Sequence, residues 1–248
     1  LHSQTTSLII KLTPAPEIIY WGERLPELTN NDFEALCPAI DRGVMQARID
    51  HDVPITLCPE LGRASYGSPG IEGHHQGENW APIFQYVSHQ QTGQKVVLSC
   101  HDPIAQLRLE IDLSLDAASG VLCKKIRVTN DAEQSYQLDK LALTIPVPYR
   151  AQEVESYSGR CSRELQAQRS KIEHGVFCQE NRRGRTSHEY FPGCLIGTSG
   201  FTEQVGEVWG FHLGWSGNHH WRAEAKSDGR RFVQAGELLT AGEVALQQ

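Results

Sequence analysis

The sequence predicts an all-β fold, a large sandwich of two antiparallel sheets, and three features carry that prediction. Leu107, Leu109, Ile111, Leu113 and Leu115 alternate strictly with Arg108, Glu110, Asp112 and Ser114, the period-two pattern of a half-buried strand. A second alternation, GEVWGFHLGW over 206–215, sets Trp209, Phe211, Leu213 and Trp215 on one side and Val208, Gly210, His212 and Gly214 on the other. Elsewhere short apolar stretches are separated by Gly/Pro turns, and many short strands joined in that way stack as two sheets. At 248 residues the chain is large enough for a full core, and one all-β domain of that size is ordinary.

Taken in order, Ser7 to Leu12 and Glu17 to Trp21 read as opening strands parted by Pro14 and Pro16. Thr29-Asn30-Asn31-Asp32 supplies an N-cap for a short turn through Phe33, Ala35 and Leu36, which Pro38 is expected to stop. Residues 59–79, PELGRASYGSPGIEGHHQGEN, hold five glycines and two prolines and read as a long loop without a regular element. Such loops carry function more often than short connections do. With few apolar anchors to offset its ordering entropy, the loop is expected to be mobile until a partner surface covers it.

From Ala81 the β pattern is steady. Pro82 to Ser88 and Gln94 to Cys100 form a hairpin around Gln91-Thr92-Gly93. The strand at 107–115 turns through Asp116 to Gly120 and returns as Val121 to Asn130, and Leu138 to Val147 is one further strand. From Arg160 to His174 a helix and a loop with a short strand stand level, because no apolar face recurs. Gly206 to Trp215, His220 to Ala225, Arg231 to Ala235 and Val244 to Leu246 complete the strands.

The net charge is −7 with a pI near 5.9, and acids and bases are interspersed. A nucleic-acid partner would need a basic stripe with interleaved aromatics, which is absent; a neutral saccharide does not read net charge. No apolar run reaches the ~20 residues of a membrane helix. Leu1 stands where an initiating Met would, and the first twelve residues lack a signal layout, so the chain reads as a portion of something longer. Seven cysteines, an odd number without CxxC spacing, point to free thiols in a reducing cytoplasm, with the periplasm as the alternative.

No catalytic set is legible. His74-His75 and His219-His220 are neighbours whose side chains leave a strand on opposite faces, so neither doublet is a ligand pair, and no metal or cofactor is expected. GxSxG is absent, and no Cys-His-Asn order can be read for a nucleophile. Arg182, Arg183 and Arg185 stand among Glu180, His188 and Glu189, company that favours bidentate pairing. They are expected to be structural, buried against acids or carbonyls of the sandwich rather than lining a ligand cavity.

Several motifs recur in order: Ser158-Gly159-Arg160, Arg163-Glu164-Leu165-Gln166, ENRRGRTSH over 180–188, GEVWGF over 206–211 and WSGNH over 215–219. Together they resemble the N-terminal β-sandwich domain of the α-galactosidases of glycoside hydrolase family 36, from Tyr20-Trp21-Gly22 to about Glu243. The resemblance implies a supersandwich of galactose-mutarotase-like type spanning residues 1–248, with a catalytic (β/α)8 barrel expected beyond residue 248. It implies a retaining enzyme for terminal α-galactosides of the raffinose type, whose two catalytic carboxyls lie on the barrel and not here. The domain itself would be non-catalytic, packing on the barrel and supplying a subunit interface in a homo-oligomer. The loop at 59–78 would lie near a barrel mouth, which makes Glu60, Tyr66 and His74 candidates for sugar contacts. Arg182, Arg183, Arg185, His188, Trp209, Trp215 and Asn218 would form the structural motif. Two departures stand out: Cys161-Ser162 where the family has Trp after Gly159-Arg160, and His75 where it has Arg. The alternative is a stand-alone carbohydrate-binding or sugar-epimerase-like sandwich.

Overall fold

The structure, a computed structural model, describes residues 1–40 and 53–248. The chain forms two compact units, one of residues 1–65, 75–136 and 246–248, the other of 66–74 and 137–245. In chain order the elements are β1 (Thr6–Lys11), β2 (Glu17–Glu23), α1 (Asn30–Ile40), a 3-10 turn at Leu61–Arg63, β3 (Ile71–His74), β4 (Gln85–Thr92), β5 (Lys95–Asp102), β6 (Leu107–Leu115) and β7 (Leu122–Asn130). Then follow β8 (Tyr136–Leu141), β9 (Leu143–Val147), β10 (Glu153–Arg160), β11 (Arg163–Lys171), β12 (Gly175–Asn181) and β13 (Gly193–Gly197). The last four are β14 (Val208–His212), β15 (His219–Ala225), β16 (Arg231–Glu237) and β17 (Val244–Leu246).

The first unit is organised by the antiparallel meander β4-β5-β6-β7. The alternation read at 107–115 is realised on β6: Leu107, Leu109, Ile111, Leu113 and Leu115 are all buried. Leu98 of β5 and Ile126 of β7 flank Ile111 in register, so one apolar face runs across the sheet. Each such side chain taken from water contributes roughly 1.5–3 kcal/mol. The opposite face is tied by cross-strand ion pairs, Lys95–Asp112 at 2.7 Å and Arg127–Glu110 at 3.0 Å. β1 and β2 form a separate ribbon with a bulge between Ile9 and Ile10. Helix α1 starts with a capping box, in which the Thr29 N–H and hydroxyl both donate to Asp32 Oδ2 at 2.7 Å. It runs through Pro38 rather than stopping there. A proline in the last turn forfeits its own amide bond but keeps a helical φ.

The second unit is a sandwich. Sheet β11-β10-β13-β14 faces sheet β12-β15-β16-β9. The shared core takes Val154, Cys194 and Ile196 from the first sheet, and Trp221, Ala223, Ala225, Val233 and Val147 from the second. Trp221 is its largest member; its indole N–H donates to Gln179 Oε1 at 2.9 Å and its ring packs on Phe177 at 5.4 Å. A third sheet runs β17-β8-β3. The fold is all-β, as the sequence predicts.

Three readings are corrected and one left open, at 160–174, is settled as strand. Residues 138–147 are two strands in different sheets, broken at buried Ala142, whose N–H donates to Gly70 O at 2.7 Å. The 160–174 stretch is the end of β10 and the whole of β11, and all nine β11 residues are exposed, so it has no apolar face to read. The strand expected to Trp215 ends at His212. The loop at 59–79 contains β3, which pairs with β8.

Candidate functional site

Glu60 lies where the loop begins, in the first unit, and is 1% exposed. One carboxylate oxygen accepts the Phe84 N–H at 3.1 Å, and the other accepts the Thr56 hydroxyl and Arg63 Nε, each at 3.3 Å. Arg63 also donates to Phe84 O at 2.5 Å. Burial pushes the Glu60 carboxyl above its ordinary range, against the opposing pull of Arg63 and the hydrogen bonds. The carboxylate is engaged inside the fold, tying residues 56–63 to 84, and is turned away from any surface where sugar hydroxyls would arrive. Buried Cys100 senses the same carboxylate: burial first, and Glu60 second, push its thiol up to about 12.

Tyr66 and His74 bound the short segment of the second unit. Tyr66 is 72% exposed, whereas His74 ends β3 and is half-buried. Between them Ser68, Gly70 and Glu72 are each tied to other parts of the second unit. Ser68 N–H donates to Glu224 Oε2 at 2.9 Å, Ser68 O accepts from Gln234 Nε2 at 2.9 Å, and its hydroxyl accepts from Arg222 Nη1 at 3.2 Å. Gly70 O accepts the Ala142 N–H, and Glu72 pairs across the strands with Lys140 at 3.4 Å. A Cβ at Gly67 would stand 2.4 Å from Glu224 Oε1, so the chain passes close to this carboxylate. The expectation of a mobile loop meets a segment with a dense set of internal bonds. His75, the departure from the family pattern, is buried in the first unit, with Nε2 3.1 Å from Asn130 Oδ1 and its ring edge-on to Tyr136.

The arginine motif is built differently from its reading. Arg183 makes a two-pronged pair with Glu189, Nε–Oε2 at 3.0 Å, and Arg182 pairs with Glu180 at 2.5 Å. The pairs are solvent-facing, with the Arg183 and Glu189 side chains 56% and 40% exposed, and Arg185 and His188 are exposed too. Asparagines hold the corner instead. Asn181, fully buried, donates to Arg185 O at 2.8 Å and accepts the Arg183 N–H at 3.1 Å, while Asn218 Oδ1 accepts the Gly184 N–H at 2.7 Å. Gly184 sits at φ +70°, a left-handed turn suited to glycine. Trp209 is half-buried with the Arg150 guanidinium 5.3 Å over its ring, but Trp215 lies past the strand and is 44% exposed.

The sequence reading missed the polar layer of β15 and β16. His220, Arg222 and Glu224 alternate with the core residues Trp221, Ala223 and Ala225, which ordinarily signals a solvent face. Instead His220, Glu224 and Gln234 are buried. Among the described residues, no group of three or more His, Cys, Asp or Glu side chains gathers as metal ligands, and no helix is long and apolar enough to cross a membrane. All seven cysteines are free thiols.

Comparison with known proteins gives a consistent family. The model of the glycosyl hydrolase family 36 N-terminal domain matches residues 14–247. The α-galactosidase of Escherichia coli is 45% identical over 248 residues, covering 100% of this chain and 34% of that protein. Among solved structures, a variant of the family 36 α-galactosidase AgaA of Geobacillus stearothermophilus, in complex with raffinose, superposes with a TM-score of 0.84 at 18% identity over 100% of this chain and 38% of its own. The α-galactosidase of Lactobacillus brevis gives 0.81 at 19% identity, over 96% and 35%. The chain thus spans about a third of the length of these relatives.

Proposed function

The chain belongs to the glycosyl hydrolase family 36 N-terminal domain family, and from that premise we propose that it is the non-catalytic part of a retaining α-galactosidase. The whole enzyme hydrolyses terminal α-galactosides of the raffinose type, the sugar present in the Geobacillus structure. Its acid and nucleophile, ~5 Å apart on the retaining route, belong to a (β/α)8 barrel beyond residue 248. One observation carries the reading: identity of 45% runs along all 248 residues yet accounts for only 34% of the Escherichia coli enzyme.

Within that enzyme the domain packs on the barrel, supplies subunit contacts in a homo-oligomer and walls part of the sugar pocket. Tyr66, exposed on a firmly bonded segment, stacks on the apolar face of a galactose ring. His74 hydrogen-bonds a hydroxyl. Glu60 anchors the start of the loop through Arg63, Thr56 and Phe84. The outward guanidiniums of Arg182, Arg183 and Arg185 serve a protein surface rather than the sandwich interior. Seven free thiols favour a reducing cytoplasm as its compartment.

The test is to express the chain with its natural continuation and follow raffinose hydrolysis by NMR. Release of α-galactose as the first-formed anomer supports the reading. A gene that ends without a barrel, or a product lacking activity, leaves the stand-alone carbohydrate-binding or sugar-epimerase-like sandwich.

A further inference from the structure

Three side chains converge on Ser68. A strand face that carries His220, Arg222 and Glu224, beside Gln234 of the neighbouring strand, would ordinarily be wet. Here Glu224 and Gln234 are buried and directed at one residue of the covering segment. Ser68 has three polar groups, and each meets a different side chain: the N–H meets Glu224, the carbonyl Gln234 and the hydroxyl Arg222. Backbone N–H and C=O groups are normally satisfied by other backbone, so two long-range side chains aimed at the backbone of one residue mark a position that is specified rather than merely filled. Gln234 is itself held by a second bond from the same amide nitrogen, Nε2 donating to Thr144 Oγ1 at 3.0 Å. Glu224 also lies close to the chain one residue earlier, where a Cβ on Gly67 would stand 2.4 Å from its Oε1. Two residues before the clamped serine stands Tyr66, with its side chain left outside.

We propose that Glu224, Gln234 and Arg222 are positioning residues that hold Ser68, and through the adjoining Gly67 fix the exposed ring of Tyr66 in the orientation in which it meets an α-galactoside. This rests on the reading that Tyr66 touches sugar. A ring held in place before binding loses little freedom on contact, so the clamp acts on affinity rather than on bond cleavage. Removing it raises KM and leaves kcat nearly unchanged, the signature of lost uniform binding.

The experiment uses the full-length enzyme and raffinose, with Tyr66→Ala, Glu224→Ala, Gln234→Leu and the double variant Tyr66→Ala/Glu224→Ala, and hydrogen exchange at the Ser68 amide. The expected result is a KM raised about tenfold in Tyr66→Ala and by a similar factor in Glu224→Ala and Gln234→Leu. The double variant should be no worse than Tyr66→Ala alone, because both changes remove one interaction. Ser68 exchange should quicken in both clamp variants, and Glu224→Gln, which keeps an acceptor oxygen, should restore protection and KM together. A merely structural residue would lower the melting temperature and reduce active protein without moving KM. If Tyr66→Ala raises KM while Glu224→Ala and Gln234→Leu leave KM and Ser68 exchange at wild type, the positioning role is overturned and the sugar contact stands. If Tyr66→Ala leaves KM unchanged, the sugar contact is overturned and the positioning role with it, even where the exchange data show the clamp. Should Glu224→Ala fail to fold, Gln234→Leu carries the same comparison.

Discussion

Asn181 and Arg183 stand two residues apart and illustrate how differently a polar side chain can be used. Arg183 has the more conspicuous partner, a two-pronged pair with Glu189, but both side chains are open to water, where screening and side-chain entropy cancel most of the attraction. Asn181 is fully buried and satisfies two backbone groups of the arginine corner, the Arg183 N–H and the Arg185 carbonyl. Asn181→Ala would leave those groups without a partner, so it should destabilise the chain by on the order of 2–3 kcal/mol, read as a lower urea midpoint. Arg183→Ala should melt close to wild type; a large loss there would return the corner to the arginines. A second residue gives a pH dependence. Burial, then the charges of Arg222 and Lys140, hold His220 down to about 3, against an ordinary 6.5. Between those values the unfolded chain takes up a proton that the folded chain refuses. The His220 contribution is therefore complete above about pH 6.5 and is lost as the pH falls toward 3. Going from about pH 6.5 to 5 it should remove about 2 kcal/mol, and His220→Asn should flatten that slope in thermal melts. An equal slope in the variant would assign it to other groups.

Elements were legible in proportion to how well their environment matches their pattern. Strand β6 was read residue by residue because one face is buried and the other wet, the condition under which period two appears. Its register fixes the prediction that Ile111→Ala, central between Leu98 and Ile126, destabilises by ~2–5 kcal/mol, whereas Gln168→Ala on wholly exposed β11 changes the denaturation midpoint little. Strand β11 was not legible, since with every residue exposed there is no apolar face to count. Strands β8 and β9 merged in the sequence because the break between them is a buried alanine with no turn residue; the switch of sheet is enforced by a distant carbonyl, Gly70 O. Strand β3 was hidden by the glycines around it, and its existence depends on β8, more than 60 residues away in the chain, Gly73 pairing with Leu138 and His74 with Gln137. Pairing at that separation leaves no local trace.

At the scale of the whole molecule, family motifs located the fold, but the candidate site was legible only in part. Tyr66 was read as a displayed ring and is exposed, while Glu60, read beside it, is enclosed by Thr56, Arg63 and Phe84. Nothing local to a Pro-Glu dipeptide tells which way the carboxylate turns; that is decided by an arginine three residues on and an amide 24 residues away. The same distinction shapes the expectation for activity. A retaining glycosidase needs an acid and a nucleophile on opposite sides of one bond, ~5 Å apart. The buried carboxylates Glu60, in the first unit, and Glu224, in the second, are each engaged in holding backbone: Glu60 on Phe84, Glu224 on Ser68. The 248-residue chain by itself should therefore give no hydrolysis of an aryl α-galactoside above the uncatalysed rate, since removal of the reacting groups forfeits most of a glycosidase's acceleration. Measured in the same assay, the chain joined to its continuation should turn over, and Glu60→Gln in that longer protein should lower the melting temperature more than it changes kcat. Turnover by the 248-residue chain that disappears on replacing Glu60 or Glu224 would instead place the chemistry inside this domain.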